Sequence, residues 1–137
     1  MFKLDLKDKA ILITGGSDGL GYATAKLLSS EGAKIVICGR RADYLKEKAD
    51  IIREHTKNEV YDIPCDVTDA DQCKLLVEKS ISKLKSIDVL INNAGTSAAA
   101  PFEDVSDKSW EDDINLKLMA AVRITRLVIP YMKEKNK

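Results

Sequence analysis

A glycine-rich stretch directly after a short apolar run limits the possible folds of this chain more than any other feature. Residues 10–13 are fully apolar, and the next eight are Thr14-Gly15-Gly16-Ser17-Asp18-Gly19-Leu20-Gly21. Continuous apolar runs that end at glycine are typical of strands buried on both faces. Apolar residues at helical spacing follow as far as Ser30, and Gly32 supplies a stop. The sequence therefore predicts a buried strand, a tight turn and a helix.

The same alternation of strand and helix recurs along the chain. Short apolar runs predict further strands at residues 35–38, 60–65 and 87–91. Helical spacing of apolar residues predicts helices at residues 20–30, 43–56 and 69–85. A loop of small residues at 95–101 leads to a long helical region from an N-cap at Ser106 to about Lys133, whose last turns Pro130 is expected to bend or fray.

Strands that are joined by helices determine the architecture. Such connections are crossovers, so we expect a parallel sheet with helices on both faces. This is a doubly wound, Rossmann-like α/β fold, and residues 1–137 have room for one such domain. Ligands of these sheets bind beyond the carboxyl ends of the strands. The residues that follow positions 13, 38, 65 and 91 are therefore the candidates for a functional site.

Charge, hydropathy and cysteine usage exclude several function classes. Lys and Arg number 22 and Asp and Glu also number 22, so no net field favours nucleic acid or an anionic membrane. No apolar run approaches the roughly 20 residues of a membrane span, and the first residues lack a signal core, so we expect a cytoplasmic protein. Three cysteines without a CxxC pair, with His55 as the one histidine, predict buried thiols and no metal site.

The loop after the first strand is suited to a pyrophosphate. Glycine permits positive φ and close approach of backbone amides, and the helix that follows directs its unpaired N–H groups to the same place. The alternative is that these glycines only make a tight strand-to-helix turn. The buried strand before them and the amphipathic helix after them favour nucleotide binding.

Two arginines follow the second strand, at the place where dinucleotide folds contact the adenosine ribose. An acidic residue there binds a 2′-hydroxyl, whereas arginine accommodates the 2′-phosphate of NADP. Arg40 and Arg41 occupy this place, and no acid does. The alternative is two solvated charges that open a helix. Asp18 argues against a phosphate, but two guanidiniums that bind phosphate bidentately outweigh one carboxylate, so we favour NADP over NAD.

Polar residues also follow the third and fourth strands. Asp66 could be only a turn residue, and Thr68 or Asp69 only a cap for the next helix. Asn92 and Asn93 could simply tie loop backbone together. Their shared position at the predicted ligand-binding edge makes a functional role the more interesting hypothesis.

Four motifs in register give the chain a specific resemblance. They are Thr14-Gly15-xxx-Gly19-x-Gly21, Asp66-Val67, Asn92-Asn93-Ala94-Gly95 and Asn115-Leu116. In order and spacing, from about Lys9 to Pro130, the sequence resembles the short-chain dehydrogenase/reductase family. The resemblance implies an NADP(H)-dependent oxidoreductase that interconverts a small-molecule carbonyl and a secondary alcohol by hydride transfer.

The resemblance also implies a set of site residues. Pyrophosphate would be bound by Gly15, Ser17, Asp18, Gly19, Leu20 and Gly21. The 2′-phosphate would be bound by Arg40 and Arg41, the adenine by Asp66 and Val67, and the ribose and neighbouring cleft wall by Asn93, Ala94 and Gly95. Asn115 would match the family's catalytic asparagine, which anchors a water in the proton relay. Its alternative role is a polar residue that kinks or interrupts a helix.

The family's Ser and Tyr-xxx-Lys pair follow a fifth strand that this sequence does not reach. Three Tyr-xxx-Lys strings occur earlier, at Tyr22/Lys26, Tyr44/Lys48 and Tyr131/Lys135, and we predict surface or packing roles for them. We expect the chain to be the amino-terminal part of a longer reductase, with a fold truncated after the fourth strand and the long helix. The fourth strand would then be an exposed edge, and the isolated polypeptide is expected to self-associate.

Two other functions stay open. One is a dinucleotide-binding module or fragment without catalysis, and the other is a flavodoxin-like fold that uses its glycines only structurally. For the full-length enzyme, the resemblance implies a homo-oligomer that pairs through the long helix.

Overall fold

The computed structural model describes residues 4–136 and confirms the predicted alternation of strands and helices. The strands are β1 (Ala10–Thr14), β2 (Lys34–Gly39), β3 (Val60–Pro64) and β4 (Val89–Ile91). The helices are α1 (Gly19–Ser30), α2 (Ala42–Thr56), α3 (Ala70–Leu84), α4 (Asp107–Ile114) and α5 (Ala120–Lys135). A π-helical turn, Asn115–Met119, joins α4 to α5, and a short 3-10 helix, Phe102–Asp104, precedes α4.

The four strands form one parallel sheet in the order β3-β2-β1-β4. The chain moves outward from β1 to β2 and β3, and then returns to the other side of β1 to form β4. Leu12 at the centre of β1 pairs with Val36 on one side and Leu90 on the other. The reversal of direction beside β1 confirms the doubly wound fold, and it leaves a crevice at the carboxyl ends of β1 and β4.

Strand β1 is buried on both faces, as its apolar run predicts. Ile11 and Ile13 pack with buried residues of α1 and α2, and Ala10 and Leu12 pack with those of α3 and α5. Complete burial of one such aliphatic side chain stabilises the fold by roughly 1.5–3 kcal/mol. The first strand is therefore the fixed element against which the loops of the site are positioned.

The fourth strand is shorter than the apolar run that predicts it. Asp88 precedes it, and the backbone N–H of Asp88 donates to the carbonyl of Ala10 at 2.8 Å. The Asp88 carboxylate accepts the N–H of Ala10, also at 2.8 Å. A side chain thus takes the place that a strand carbonyl would hold, and regular pairing begins at Val89.

The long helical region differs from its prediction in the middle and at the end. Ser106 is the N-cap and accepts the N–H of Ser109, as expected. The helix does not continue uniformly, because the N–H of Ala120 donates to the carbonyl of Asn115 five residues earlier. Pro130 lies inside α5, which continues to Lys135, so of the two predicted effects of Pro130, bending or fraying, fraying does not occur.

Cys38, Cys65 and Cys73 are free and buried, as predicted. Within residues 4–136 no group of three or more His, Cys, Asp or Glu side chains is arranged to hold a metal ion. The helices of the same part of the chain include none that is both long and apolar enough to cross a membrane.

Candidate functional site

A cleft of about 690 Å³ opens at the carboxyl ends of the strands, where the doubly wound sheet predicts a ligand. Its volume lies in the range of small-molecule and cofactor sites, roughly 300–1,000 Å³. Predicted site residues that line it are Gly15, Ser17, Asp18, Leu20, Arg40, Arg41, Asp66, Val67, Asn93, Ala94, Gly95 and Asn115. The structure therefore brings together residues from four separate loops and the long helix.

The sequence assigned no binding role to the other lining residues, although it named Thr68 as a possible helix cap and Leu116 as part of a motif. These residues are Cys38, Gly39, Cys65, Thr68, Thr96, Asp112 and Leu116. Most of them are immediate neighbours of predicted residues. Cys38, Gly39 and Cys65 lie within two positions of a predicted strand end, and that position was the signal that could have identified them. Asp112 lies on α4 and is brought to the cleft only by the tertiary fold.

The loops after β1 and β4 are tied to each other by Thr14 and Asn93. The buried hydroxyl of Thr14 accepts the backbone N–H groups of Asn93 and Ala94, both at 3.0 Å. The side-chain amide of Asn93 donates to the carbonyl of Gly15 at 3.0 Å. Asn93 thus ties loop backbone together, which is one of its two predicted roles, and at the same time it shapes the wall of the cleft.

Two glycines of the first loop are needed for different reasons. A Cβ on Gly21 would lie 2.1 Å from the carbonyl oxygen of Gly15 and 2.4 Å from the side-chain nitrogen of Asn93. Gly21 is buried beneath the cleft and lets α1 approach that loop. Gly19 has a φ of +52° with no atom within 4 Å of its would-be Cβ, so its backbone conformation requires glycine and its open side leaves room for a ligand. Neither glycine lines the cleft itself.

The N–H groups at the start of α1 receive no capping hydrogen bond from a side chain. Asp18 is the N-cap in extended conformation, but its side chain makes no capping hydrogen bond. The first turn of α1 contains no acidic residue. Its N–H groups therefore lack side-chain acceptors and are available to an anionic group.

Arg40 and Arg41 are adjacent in sequence but lie in different environments. Arg41 forms an ion pair with Asp18 at 3.0 Å, and its guanidinium lies 4.1 Å from the centre of the Tyr44 ring. The Tyr44 hydroxyl donates to the second oxygen of the Asp18 carboxylate. Arg40 is exposed at the rim of the cleft. The two guanidiniums are thus not equivalent candidates for binding a phosphate.

Asp66 stays ionised at the turn that follows β3. The hydroxyl and backbone N–H of Thr68 donate to one of its oxygens at 2.7 and 3.0 Å. These hydrogen bonds, with the positive charge of Arg40, lower the pKa of the Asp66 carboxyl. Asp69 caps α3 by accepting the N–H groups of Asp71 and Gln72. The predicted turn and cap are confirmed, and Asp66 and Val67 also line the cleft.

The buried thiols of Cys38 and Cys65 form part of the cleft wall at the ends of β2 and β3. A hydrogen bond with the Cys38 thiol, and burial, raise the pKa of the Cys65 thiol. Burial raises the pKa of the Cys73 thiol to about 11. The raised pKa favours the protonated form of Cys65, which is a poor nucleophile, so its side chain adds an apolar surface to the cleft.

Asn115 begins the π-helical turn, and its side chain is bound at both ends. Its amide nitrogen donates to the carbonyl of Thr68 at 3.3 Å, and its oxygen accepts from the guanidinium of Arg123 at 2.7 Å. The interruption of the helix at Asn115 agrees with the alternative role that the sequence leaves open for it. The side chain lines the cleft and joins the long helix to the loop after β3.

Lys117 and Thr125 of the long helical region both meet the loop after β4, where the Asn92 side-chain amide donates to the Thr125 hydroxyl at 3.2 Å. The Cγ of Lys117 would lie 3.8 Å from a Cβ built on Gly95, and its amine pairs with Asp113 at 2.8 Å. Residues two apart on a helix point to nearly opposite sides, so Asn115 and Lys117 meet different loops.

The three Tyr-xxx-Lys strings lie outside the lining of the cleft. Lys48 lies 5.1 Å from the ring centres of both Tyr22 and Tyr44. Lys135 donates to the Ser86 hydroxyl at 3.1 Å and to the Asp88 carboxylate. These contacts agree with the predicted surface and packing roles.

Solved structures share this fold over nearly the whole chain. L-sorbose reductase from Gluconobacter frateurii, in complex with NADPH and L-sorbose, matches with a TM-score of 0.94 at 33% sequence identity, over 98% of this chain and 51% of that one. NAD+-bound xylitol dehydrogenase matches with a TM-score of 0.91 at 27% identity, over 96% of this chain and 51% of that one.

The sequence comparisons agree. The 3-oxoacyl-acyl-carrier-protein reductase of Thermotoga maritima is 37% identical over 135 residues, which is 96% of this chain and 53% of that relative. The chain spans about half the length of the curated relatives it matches. The family model for short chain dehydrogenases matches residues 9–137. The chain therefore belongs to the short-chain dehydrogenase family, as its four motifs predict.

Proposed function

We propose that residues 1–137 form the NAD(P)-binding part of an oxidoreductase that interconverts a carbonyl compound and a secondary alcohol by hydride transfer, with NADP(H) as the cofactor. The observation that carries this proposal is the cleft at the carboxyl ends of the strands. It combines the open N-terminus of α1 with an exposed guanidinium, that of Arg40, at its rim. A diphosphate and a second phosphate need those two features.

The residues present fit a dinucleotide. The backbone from Gly15 to Leu20 would hold the diphosphate, because the first turn of α1 has no side-chain acceptor of its own. Asp66 and Val67 would contact the adenine, beside the apolar surface that Cys38 and Cys65 provide. The backbone that includes Asn93, Ala94 and Gly95 would line the ribose, held in place by its hydrogen bonds to β1. When bound, the nicotinamide supplies or accepts the hydride.

The preference for NADP rests on Arg40. The similar solved structures include one with NADPH and one with NAD+, so structural similarity alone favours neither cofactor. An exposed arginine directly after β2 is suited to a 2′-phosphate, and no carboxylate occupies the place of a 2′-hydroxyl ligand at that strand end.

We propose Asn115 as the residue that anchors the proton relay in the complete enzyme. Its place on the wall of the cleft supports this role. Arg123 and the Thr68 carbonyl fix its side chain, so the relay would depend on the position of the π-helical turn.

The remaining proposals concern partners and location. The substrate is a small molecule, and the complete protein is a cytoplasmic homo-oligomer that pairs through the long helix. Support for pairing comes from exposed apolar side chains along that helix, at Trp110, Ile114, Leu118, Val122 and Ile129.

The test is a calorimetric titration of the purified protein with NADPH and with NADH, followed by a turnover assay on ketones and secondary alcohols. We expect saturable binding of both cofactors, tighter for NADPH, and turnover by the complete protein. No saturable binding of either cofactor would contradict the proposal. Binding without turnover would support the alternative, a dinucleotide-binding module without catalysis.

A further inference from the structure

The side chain of Asp18 does not cap α1, although Asp18 occupies the N-cap position. Aspartate is among the best N-cap residues, and its carboxylate ordinarily accepts an N–H of the first helical turn. Asp18 stands at the N-cap of α1, yet both of its oxygens are used elsewhere, one by Arg41 and the other by the Tyr44 hydroxyl. Both partners lie at the start of α2, across the rim of the cleft.

Arg41 is held on two sides. One guanidinium nitrogen pairs with Asp18 at 3.0 Å, and the guanidinium plane lies 4.1 Å from the centre of the Tyr44 ring. Lys48, one turn further along α2, lies 5.1 Å from that same ring. We call Asp18, Arg41 and Tyr44 the clasp. In the clasp the charge of Arg41 is paired with that of Asp18, in an ion pair that stays exposed to solvent.

Arg40 stands outside the clasp. The ion pairs within residues 4–136 include none of Arg40, although its side chain is exposed at the cleft rim. Its positive charge acts on Asp66, at the adenine end of the same cleft, and lowers the pKa of that carboxyl. Of the two arginines, Arg40 is therefore the one that forms no ion pair within residues 4–136.

We propose that Asp18 is a specificity-determining residue of the cofactor site: by holding Arg41 in the clasp, it leaves the adenosine 2′-phosphate to Arg40 alone. This inference rests on the proposed function. Its consequence is a protein that prefers NADPH to NADH only moderately, because one guanidinium binds the phosphate and the Asp18 carboxylate lies close enough to repel it.

The test compares four proteins by calorimetric titration with NADPH and NADH: the wild type, Asp18→Ser, Arg41→Ala and the double variant. Serine keeps a good N-cap residue and removes the charge. We expect Asp18→Ser to raise the ratio of NADPH to NADH affinity about tenfold, because Arg41 is released towards the 2′-phosphate, which only NADPH carries. Any gain from removing a charge beside the shared diphosphate is the same for both cofactors.

In a protein that keeps Asp18, NADPH affinity should depend little on Arg41. We expect Arg41→Ala alone to change NADPH affinity less than about threefold, and to abolish most of the tenfold gain when it is combined with Asp18→Ser. A large loss of NADPH affinity in Arg41→Ala alone would overturn the inference, because it would show that Arg41 already binds the phosphate. So would an Asp18→Ser variant whose ratio of NADPH to NADH affinity is unchanged.

Two further variants separate this inference from the proposed function. Asp43→Ser removes a carboxylate from the first turn of α2, the helix that begins after Arg41, and Asp43 lies outside the cleft lining. This variant is expected to leave the ratio of NADPH to NADH affinity unchanged. A tenfold gain in this control would assign the effect to general charge and overturn the clasp. Arg40→Ala should weaken NADPH at least about tenfold without affecting NADH. An unchanged ratio in Arg40→Ala would instead contradict the NADP preference itself.

Discussion

The strands on the two sides of β1 differ in how completely they are buried. On one side, the residues from Ile35 to Cys38 of β2 are 0% exposed and covered by helices on both faces. On the other side, the three residues of β4 are only half-buried. The π-helical turn and the helices around it also expose large apolar side chains. Both sides contribute loops to one cleft.

This difference follows the division of labour that we propose for the site. In that proposal Arg40, Asp66 and Val67, on the β2 side, would bind the adenosine end of the cofactor. Asn115, on the β4 side, would face the end where the reaction takes place. A fully packed strand keeps the loops at its end in place, whereas the less buried wall depends on single hydrogen bonds such as that between Asn115 and Arg123.

The largest expected difference between the two sides concerns stability. Ile37→Ala removes a side chain that is completely buried in β2, and Ile91→Ala removes a half-buried one in β4. We expect Ile37→Ala to lower the free energy of unfolding by roughly 2–5 kcal/mol and Ile91→Ala by about 1 kcal/mol. Urea unfolding followed by circular dichroism measures both values. Equal losses of unfolding free energy in the two variants would contradict the claim that the β2 side is packed more completely than the β4 side.

A substitution beneath the cleft should disturb both sides together. Gly21→Ala places a methyl group 2.1 Å from the Gly15 carbonyl oxygen and 2.4 Å from the Asn93 side chain, which joins the two loops. We expect a loss of roughly 1–3 kcal/mol in unfolding free energy from overpacking. We also expect NADPH affinity to fall about a hundredfold, because the loop after β1 must move.

The matched control for that substitution is Gly19→Ala. No atom lies within 4 Å of its added methyl group, so only the strain of a positive φ remains, about 1 kcal/mol. Thermal unfolding separates the two variants. A Gly21→Ala variant as stable as wild type would show that the approach of α1 to the loop is not needed.

Asn115 supports the side of the cleft next to the long helix. Asn115→Ala removes the hydrogen bonds to Thr68 and Arg123. In the complete enzyme we expect kcat to fall roughly ten- to hundredfold while NADPH affinity changes less than about threefold, since the proton relay and not the adenosine end is affected. Lys117→Met is the comparison, because Lys117 meets Gly95 from the same helix. A larger loss of kcat in Lys117→Met would transfer the proposed role to that residue.

Local patterns were sufficient for one part of the molecule and not for the other. The apolar run of β1 and the arginines after β2 are adjacent to the elements that position them, so their placement could be predicted from sequence. The contact of Asp18 with Arg41 spans 23 positions, and that of Asn115 with Thr68 spans 47. Such pairings depend on how the strands align, which no single stretch of sequence specifies.

The smallest expected effect is a pH dependence on the adenosine side. Thr68 donates two hydrogen bonds to Asp66 and lowers the pKa of its carboxyl in the folded protein. The ionised carboxylate therefore stabilises the fold above the unfolded pKa of about 3.9, and this contribution is lost as pH falls through the lower pKa of the folded state.

Asp66→Asn keeps an oxygen that can accept from Thr68 and removes only the charge. We expect it to cost less than about 1 kcal/mol at pH 7, because the carboxylate is partly exposed, and to cost progressively less below pH 4. Urea unfolding of both proteins between pH 7 and pH 2.5 checks this. Glu47→Gln, on the exposed face of α2, controls for the general effect of one fewer negative charge. A cost that stays constant down to pH 2.5 would mean that the Thr68 hydrogen bonds stabilise the turn without any contribution from the charge of Asp66.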